Sequence, residues 1–241
     1  IVKRSLAKPL NCGRIYKIFP AGKKPERMIM PEKSAELVNM FRLPNGWLRD
    51  KAQQMIVDKK DTSVSGILRA NLEHADNDLI VIHSLWTLEG LGTLQDRDVL
   101  SLLNNNNWKI AAQAITAVSS VINQKNHTAF EKAFGDILHK GDTLLAPYIA
   151  FRAKCFEPFN AAYSEQLLIS LAKTYAGNMY VAGAVISNLK GKEATFMQRI
   201  STIVPDTAAV INKQLAKVIT YIKNNELKKN TELLKKQFPK G

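Results

Sequence analysis

The 241-residue sequence predicts an all-α chain: helices in repeated pairs behind a short extended arm. Three observations lead there. From Ser34 onward, apolar residues recur at the spacing that puts them on one face of a helix. No strand-like run follows residue 32. Equivalent points in successive helix pairs return at intervals typical of helical-hairpin repeats. Hydrophobic residues make up 46% and charged residues 23%, which excludes wholesale disorder. No apolar stretch reaches the ~18 residues of a membrane span.

The arm comes first. Residues 1–31 hold Pro9, Pro20, Pro25 and Pro31, too many for a helix. Between them, Arg14 to Phe19 alternates and is β-prone, bounded by Gly13 and Pro20. A lone strand is not stable, so this one needs a partner sheet or the helical body. Pro20 to Pro25 reads as a turn and linker. The helical domain spans 32–241. Ser34 is expected to cap a helix carrying Leu37, Val38 and Phe41, which Leu43-Pro44-Asn45-Gly46 ends. Trp47 opens a second helix, with Ala52, Met55 and Ile56 inward. Phe130, Phe134, Ile137 and Leu138 share one face of a helix stopped by Gly141. Asp206 is expected to cap a last helix with Ile211, Leu215, Val218, Ile219 and Ile222 on its apolar side. About ten helices are expected over 34–236.

Aligning the second helix of each pair places Arg49, His83, Ile110, Ala150 and Ala182 at equivalent points, at intervals of 34, 27, 40 and 32 residues. Ala52, Ala111, Ala114, Ala153 and Ala184 recur nearby, as close stacking of inner helices requires. One hairpin leaves a face unburied, so neighbours stack. The irregular interval fits degenerate HEAT or armadillo-like units, hence an α-α superhelix. No tetratricopeptide or ankyrin signature is legible.

The net charge of +13 sits at the ends. Residues 1–33 carry +7, residues 212–241 carry +6, and the stretch between them sums to zero. A nucleic-acid-binding superhelix would spread positive charge along its binding face, so the pattern argues against nucleic acid. The Lys-rich tail reads as a solvated helix. Cys12 and Cys155 belong to no CxxC or CxxCH pair, and Cys155 lies in an apolar run that favours plain burial. The chain starts at Ile1 rather than Met, which suggests a piece of a longer protein.

Signatures of chemistry are absent. There is no GxxxxGK[ST], GxSxG or HExxH, and Gly90-Leu91-Gly92 follows a helix rather than a strand. The histidines at 74, 83, 127 and 139 form no pair at helical-ligand spacing. Asp76 with Asp78, and Asp96 with Asp98, read as helix-start clusters. Asn107 is placed to cap the helix after the Asn104–Asn107 loop. Trp47, Trp86 and Trp108 are expected in the core, along with Leu88. Arg49 is expected on a carboxylate or on helix-end carbonyls. No catalytic, cofactor or metal residue is assigned.

Three runs carry a resemblance. They are Gly13 to Gly22; Leu43-Pro44-Asn45-Gly46-Trp47-Leu48-Arg49-Asp50-Lys51-Ala52; and His83-Ser84-Leu85-Trp86-Thr87-Leu88-Glu89-Gly90-Leu91-Gly92. Their order over 13–92 resembles membrane-bound or secreted dehydrogenase-type proteins, in which a glucose/sorbosone-dehydrogenase-like β-propeller precedes a HEAT-like helical domain. A c-type cytochrome domain often follows. The resemblance implies that residues 1–31 end a propeller, as its last strand and linker. It implies a periplasmic or extracellular setting, with propeller and cytochrome domains, or another protein, as partners. The quinone cofactor PQQ and haem c would belong to those neighbouring domains, not to this chain. Trp47, Arg49, His83, Trp86 and Glu89 carry over only as cohesion residues of the helical domain. The chain then serves as a non-catalytic scaffold or interaction module. The alternative is a free-standing α-solenoid that binds a protein or peptide in its groove.

Overall fold

The computed structural model describes residues 29–237, together with Ile18, Ala21 and Gly22. The expected strand at Arg14 to Phe19 lies outside the described residues except for Ile18. Contacts divide the chain into Ile1–Pro31 and Glu32–Gly241, and every helix among the described residues belongs to the second unit.

Twelve α-helices and no strands stand among the described residues, so the fold is all-α. They are α1 (Ser34–Asn39), α2 (Gly46–Lys59), α3 (Ser65–His74), α4 (Asp78–Gly90), α5 (Asp96–Leu103) and α6 (Trp108–Val121). Then come α7 (His127–Lys140), α8 (Ala146–Arg152), α9 (Ala161–Thr174), α10 (Met179–Ser187), α11 (Glu193–Ser201) and α12 (Val210–Gln237). Two more helices are present than the periodicity suggested. The short α1 passes into a 3-10 turn at Met40–Arg42, and α8 into another at Ala153–Phe156. Such tight pieces carry no helical period of their own to read.

Helices α2, α4, α6, α8, α10 and α12 each pack on the next of that series, forming one row. Helices α3, α5 and α7 follow one another in a second row, and α9 packs on α11 further along. Arg49, His83, Ile110, Ala150 and Ala182 all fall on the even row. Small residues let those helices approach. Ala52, Ala111, Ala114, Ala153 and Ala184 are all buried. At Gly90, a Cβ would come within 2.8 Å of Val57 Cγ2, so α2 and α4 meet there only because the side chain is a hydrogen.

Larger apolar groups fill the space between the rows. Phe130, Phe134 and Ile137 are buried along one face of α7, and Gly141, at φ 70°, ends the helix. Phe134 meets Phe156 edge-on with ring centroids 5.0 Å apart, and Phe156 meets Tyr163 in the same way. Leu37, Val38, Phe41, Ala52 and Ile56 are buried at the start of the fold. The Asp98 carboxylate, itself buried, accepts from Gln95 N at 3.0 Å and closes the start of α5. It also accepts from Arg69 Nε at 3.1 Å, so its charge is paired.

Two expected caps are corrected. Ser34 is the first helical residue of α1, not its cap, and its hydroxyl instead helps hold the Asp61 carboxyl below the usual carboxylate range. Asp206 accepts from Ala208 N at 2.8 Å in a turn, and α12 begins only at Val210. In both places a nearby backbone or side-chain partner competes successfully for the short polar group.

Candidate functional site

The even row carries both the residues singled out from the sequence and an exposed apolar groove. Its helices begin in a common way. Asn77 Oδ1 accepts from Leu79 N at 2.8 Å at the start of α4, and Asn107 Oδ1 from Lys109 N at 3.0 Å at α6. Asn178 Oδ1 accepts from Tyr180 N and Val181 N at α10. Asp142 takes Leu144 N at 2.7 Å before α8, and Asn45 precedes α2. The asparagines at 77, 107 and 178 satisfy backbone donors that a helix start leaves open, Asp142 does so for the turn that leads into α8, and Asn45 makes no such bond. These positions, 45, 77, 107, 142 and 178, follow one another at intervals of 32, 30, 35 and 36.

Across α2, α4 and α6 the row is bound by a ladder of polar side chains. Arg49 Nε donates to His83 Nε2 at 3.2 Å, and a second guanidinium nitrogen donates to the Leu43 carbonyl at 2.6 Å. Because Arg49 only donates, His83 Nε2 is the acceptor. Its Nδ1–H therefore donates to Gln53 Oε1 at 2.8 Å. Burial, and next the Arg49 charge, hold His83 below the ordinary histidine pKa, with Asp50 opposing. Trp86 Nε1 donates to Gln113 Oε1 at 2.8 Å, joining α4 to α6. Ser120 Oγ donates to Glu89 Oε1 at 2.9 Å two turns along. His83 also stacks on Phe41, with ring centroids 5.3 Å apart.

Four of the five motif residues thus interlock, and the fifth does not. Trp47 was expected in the core but is 66% exposed. It stands in the first turn of α2, ahead of the packed positions Leu48, Ala52 and Ile56. Trp108, also expected inside, is 37% exposed for the same reason at the start of α6. Trp86 is half-buried and Leu88 fully buried.

Further along the row the surface changes character. Trp108, Leu144, Tyr148, Phe151, Met179 and Tyr180 line a groove of about 730 Å³ beside the starts of α6, α8 and α10. Phe151 is 55% exposed, Met179 58% and Tyr180 71%. Among the described residues, no side chain bridges this groove as Gln113 bridges to Trp86. The missed signal was local: a capping Asn or Asp with a large apolar residue one or two places on. It recurs as Asn45 with Trp47, Asn107 with Trp108, Asp142 with Leu144, and Asn178 with Met179 and Tyr180.

Other polar clusters have structural employment. His127 Nδ1 lies 2.9 Å from Glu131 Oε1 one helical turn away, and its ring stacks on Phe159. Tyr163 donates its hydroxyl to the Glu131 carbonyl at 2.8 Å. Burial pushes the Cys155 thiol up to about 11, against the pull of Arg152, so it stays protonated at neutral pH. A smaller cavity of about 300 Å³ between α9 and α11 is rimmed by charges that pair with one another, Lys192 with Glu157 at 2.7 Å and Arg199 with Glu165. Among the described residues, no three His, Cys, Asp or Glu side chains gather where they could hold a metal ion. No helix of the described residues is long and apolar enough to cross a membrane. No protein-family model matches the chain, and no curated protein or solved structure shows significant similarity to it.

Proposed function

We propose that this chain is a non-catalytic helical-repeat scaffold, a HEAT- or armadillo-like module that holds a partner on its even helix row. One observation carries the reading: a continuous row of helices whose exposed face ends in an open aromatic groove. Contiguous exposed apolar surface of this kind marks interaction sites more than catalytic ones. The titratable groups on the same row support it. His83 is engaged on both ring nitrogens, which leaves neither free for proton transfer.

The resemblance over 13–92 sets this module in a multidomain extracytoplasmic dehydrogenase-like protein, between a propeller and a cytochrome domain. The bond between Arg49 and His83, which joins the second and third runs of that resemblance, supports a shared cohesive role. The coding sequence on either side tests the setting. A propeller upstream and a CxxCH downstream are expected; stop codons close on both sides would leave the free-standing peptide-binding solenoid. A photo-cross-linking residue tests the interaction face itself. Placed at position 180, it is expected to trap a discrete partner in the source cells. Placed at the exposed Ile67 of α3, it is not. Equal trapping at both positions would overturn the assignment of the face.

A further inference from the structure

We infer that one side of α12, from the groove it forms with α11 to its free end, rests on an anionic lipid bilayer. This surface lies apart from the aromatic groove of the even row and does not depend on how that groove is read. α12 runs from Val210 to Gln237 and packs on α10 and α11. Ile211 and Leu215 are buried, and Val218, Ile219 and Ile222 are half-buried. From Lys223 to Leu233 every side chain is exposed. The helix therefore continues for ~22 Å past its last packed residue, at the ordinary rise per residue.

The charges on this helix are not spread evenly around it. At about 100° per residue, Lys213, Lys217, Lys223, Leu227 and Lys228 fall within an arc of roughly 140°, and all are exposed. Glu226 and Glu232 fall outside that arc. Thr220 and Thr231, inside it, donate their hydroxyls back to the Ala216 and Leu227 carbonyls at 2.8 Å, which leaves the lysines as its binding groups. At the packed end the same side opens into a groove of about 310 Å³ between α11 and α12. Met197, Val204, Pro205 and Ala216 give it apolar walls, and Lys213 and Lys217 stand in its lining, which contains no carboxylate. The carboxylate nearest along the chain, Asp206, accepts from Ala208 N at 2.8 Å.

This combination decides the occupant. Lysines are drawn to anionic headgroups, while Leu227 and the apolar groove suit acyl chains beneath them. Past Ile222 the helix stands clear of its neighbours and offers no cleft to a peptide, so an extended polyanion fits better. A nucleic-acid backbone would meet the lysines but would leave Leu227 and the apolar groove without a counterpart. A second copy of the chain is repelled, because residues 212–241 carry +6. The contact is peripheral, since no helix of the described residues is long and apolar enough to cross a membrane.

Co-sedimentation of the full chain with lipid vesicles is the test. Vesicles of equimolar phosphatidylglycerol and phosphatidylcholine are expected to carry the chain down, and vesicles of phosphatidylcholine alone are not. Two charge-reversed double variants locate the contact. Lys217→Glu with Lys223→Glu changes the proposed side, and Lys229→Glu with Lys236→Glu changes the opposite side. All four side chains are exposed, and circular dichroism confirms the fold of each variant. Both pairs alter the net charge equally, so attraction by net charge alone would weaken equally. The first pair should lower the partition coefficient about tenfold or more, and the second far less. Leu227→Ser, which leaves the charge unchanged, should lower it severalfold. Equal losses with the two pairs, equal binding to both kinds of vesicle, or no sedimentation at all would overturn the inference. If instead a DNA duplex binds through Lys217 and Lys223 and Leu227→Ser makes no difference, the surface is a nucleic-acid contact and the lipid inference is wrong. None of these substitutions lies in the aromatic groove, so trapping of a partner at position 180 tests the scaffold reading separately.

Discussion

The two halves of the even row share one construction and treat their exposed faces differently. From α2 to α6, side chains on that face reach across to the next helix: Arg49 and Gln53 to His83, Trp86 to Gln113, Ser120 to Glu89. From α6 to α10, the groove face is Trp108, Phe151, Met179 and Tyr180, with no side chain bonded to another across it among the described residues; the bridge in this half, from Asn188 Nδ2 at the end of α10 to the Ala150 carbonyl of α8, involves none of these groove residues. Aromatic groups appear in both halves. In the first, Trp86 has its N–H satisfied inside the fold; in the second, the Trp108 N–H has no partner among the described residues. Side chains that satisfy each other stabilise the stack, and those left over are available to something outside it.

The largest expected effect sharpens this contrast directly. Trp86→Ala removes a half-buried ring and strands the Gln113 amide, so unfolding free energy should fall by about 3 kcal/mol. Phe151→Ala and Tyr180→Ala should each change it by less than about 0.5 kcal/mol. Urea denaturation of the three variants is the measurement. Equal losses in both halves would show that the groove, too, is part of the stabilising structure.

Gly90 and Gly183, the latter in the lining of the groove, make a second pair. Gly90→Ala pushes a methyl group onto Val57 Cγ2 and should cost about 1–3 kcal/mol. Gly183→Ala meets nothing and should stabilise the chain by up to about 1 kcal/mol. Opposite shifts in melting temperature are expected. A destabilised Gly183→Ala would mean that the groove floor is closed by the chain itself.

The smallest effect is on pH dependence. His83 titrates below its unfolded value, so protons bind the unfolded chain more readily than the folded one. Its contribution to stability is complete above the unfolded pKa of about 6.5 and is lost as pH falls from there through the lower folded value. His83→Gln should therefore show a shallower loss of stability between neutral and mildly acidic pH than the parent. Identical slopes would show that His83 takes up a proton without disturbing Arg49.

Much of this could be read before any coordinates. The helical period of Phe130, Phe134 and Ile137 identified α7 and its buried face, because a helix that packs on one side must repeat its apolar residues on that side. Asn107 was legible as a cap because a short acceptor before an apolar run has few other uses. The repeat interval was blurred by aligning packed residues such as Ile110 and Ala150. The Asn and Asp positions 45, 77, 107, 142 and 178 ahead of the even helices keep a steadier spacing, since a residue beside a helix start is tied to that start whereas a packed position drifts with its neighbour.

The exposure of Trp47 and Trp108 was not legible, and its cause is tertiary. A tryptophan near a helix start has the same local pattern whether or not a neighbouring helix extends far enough to cover it. The groove depends on the same fact, because its six principal side chains come from three helices and the loop before α8. The sequence by itself determined an all-α chain, the helical faces and the neutral body between basic ends, since period, capping and charge are local or additive properties. Only the tertiary structure decided that His83 lies between Arg49 and Gln53 while Phe151 and Tyr180 stay uncovered. Those outcomes depend on which residues, some thirty positions apart, the stacking of helices brings into contact.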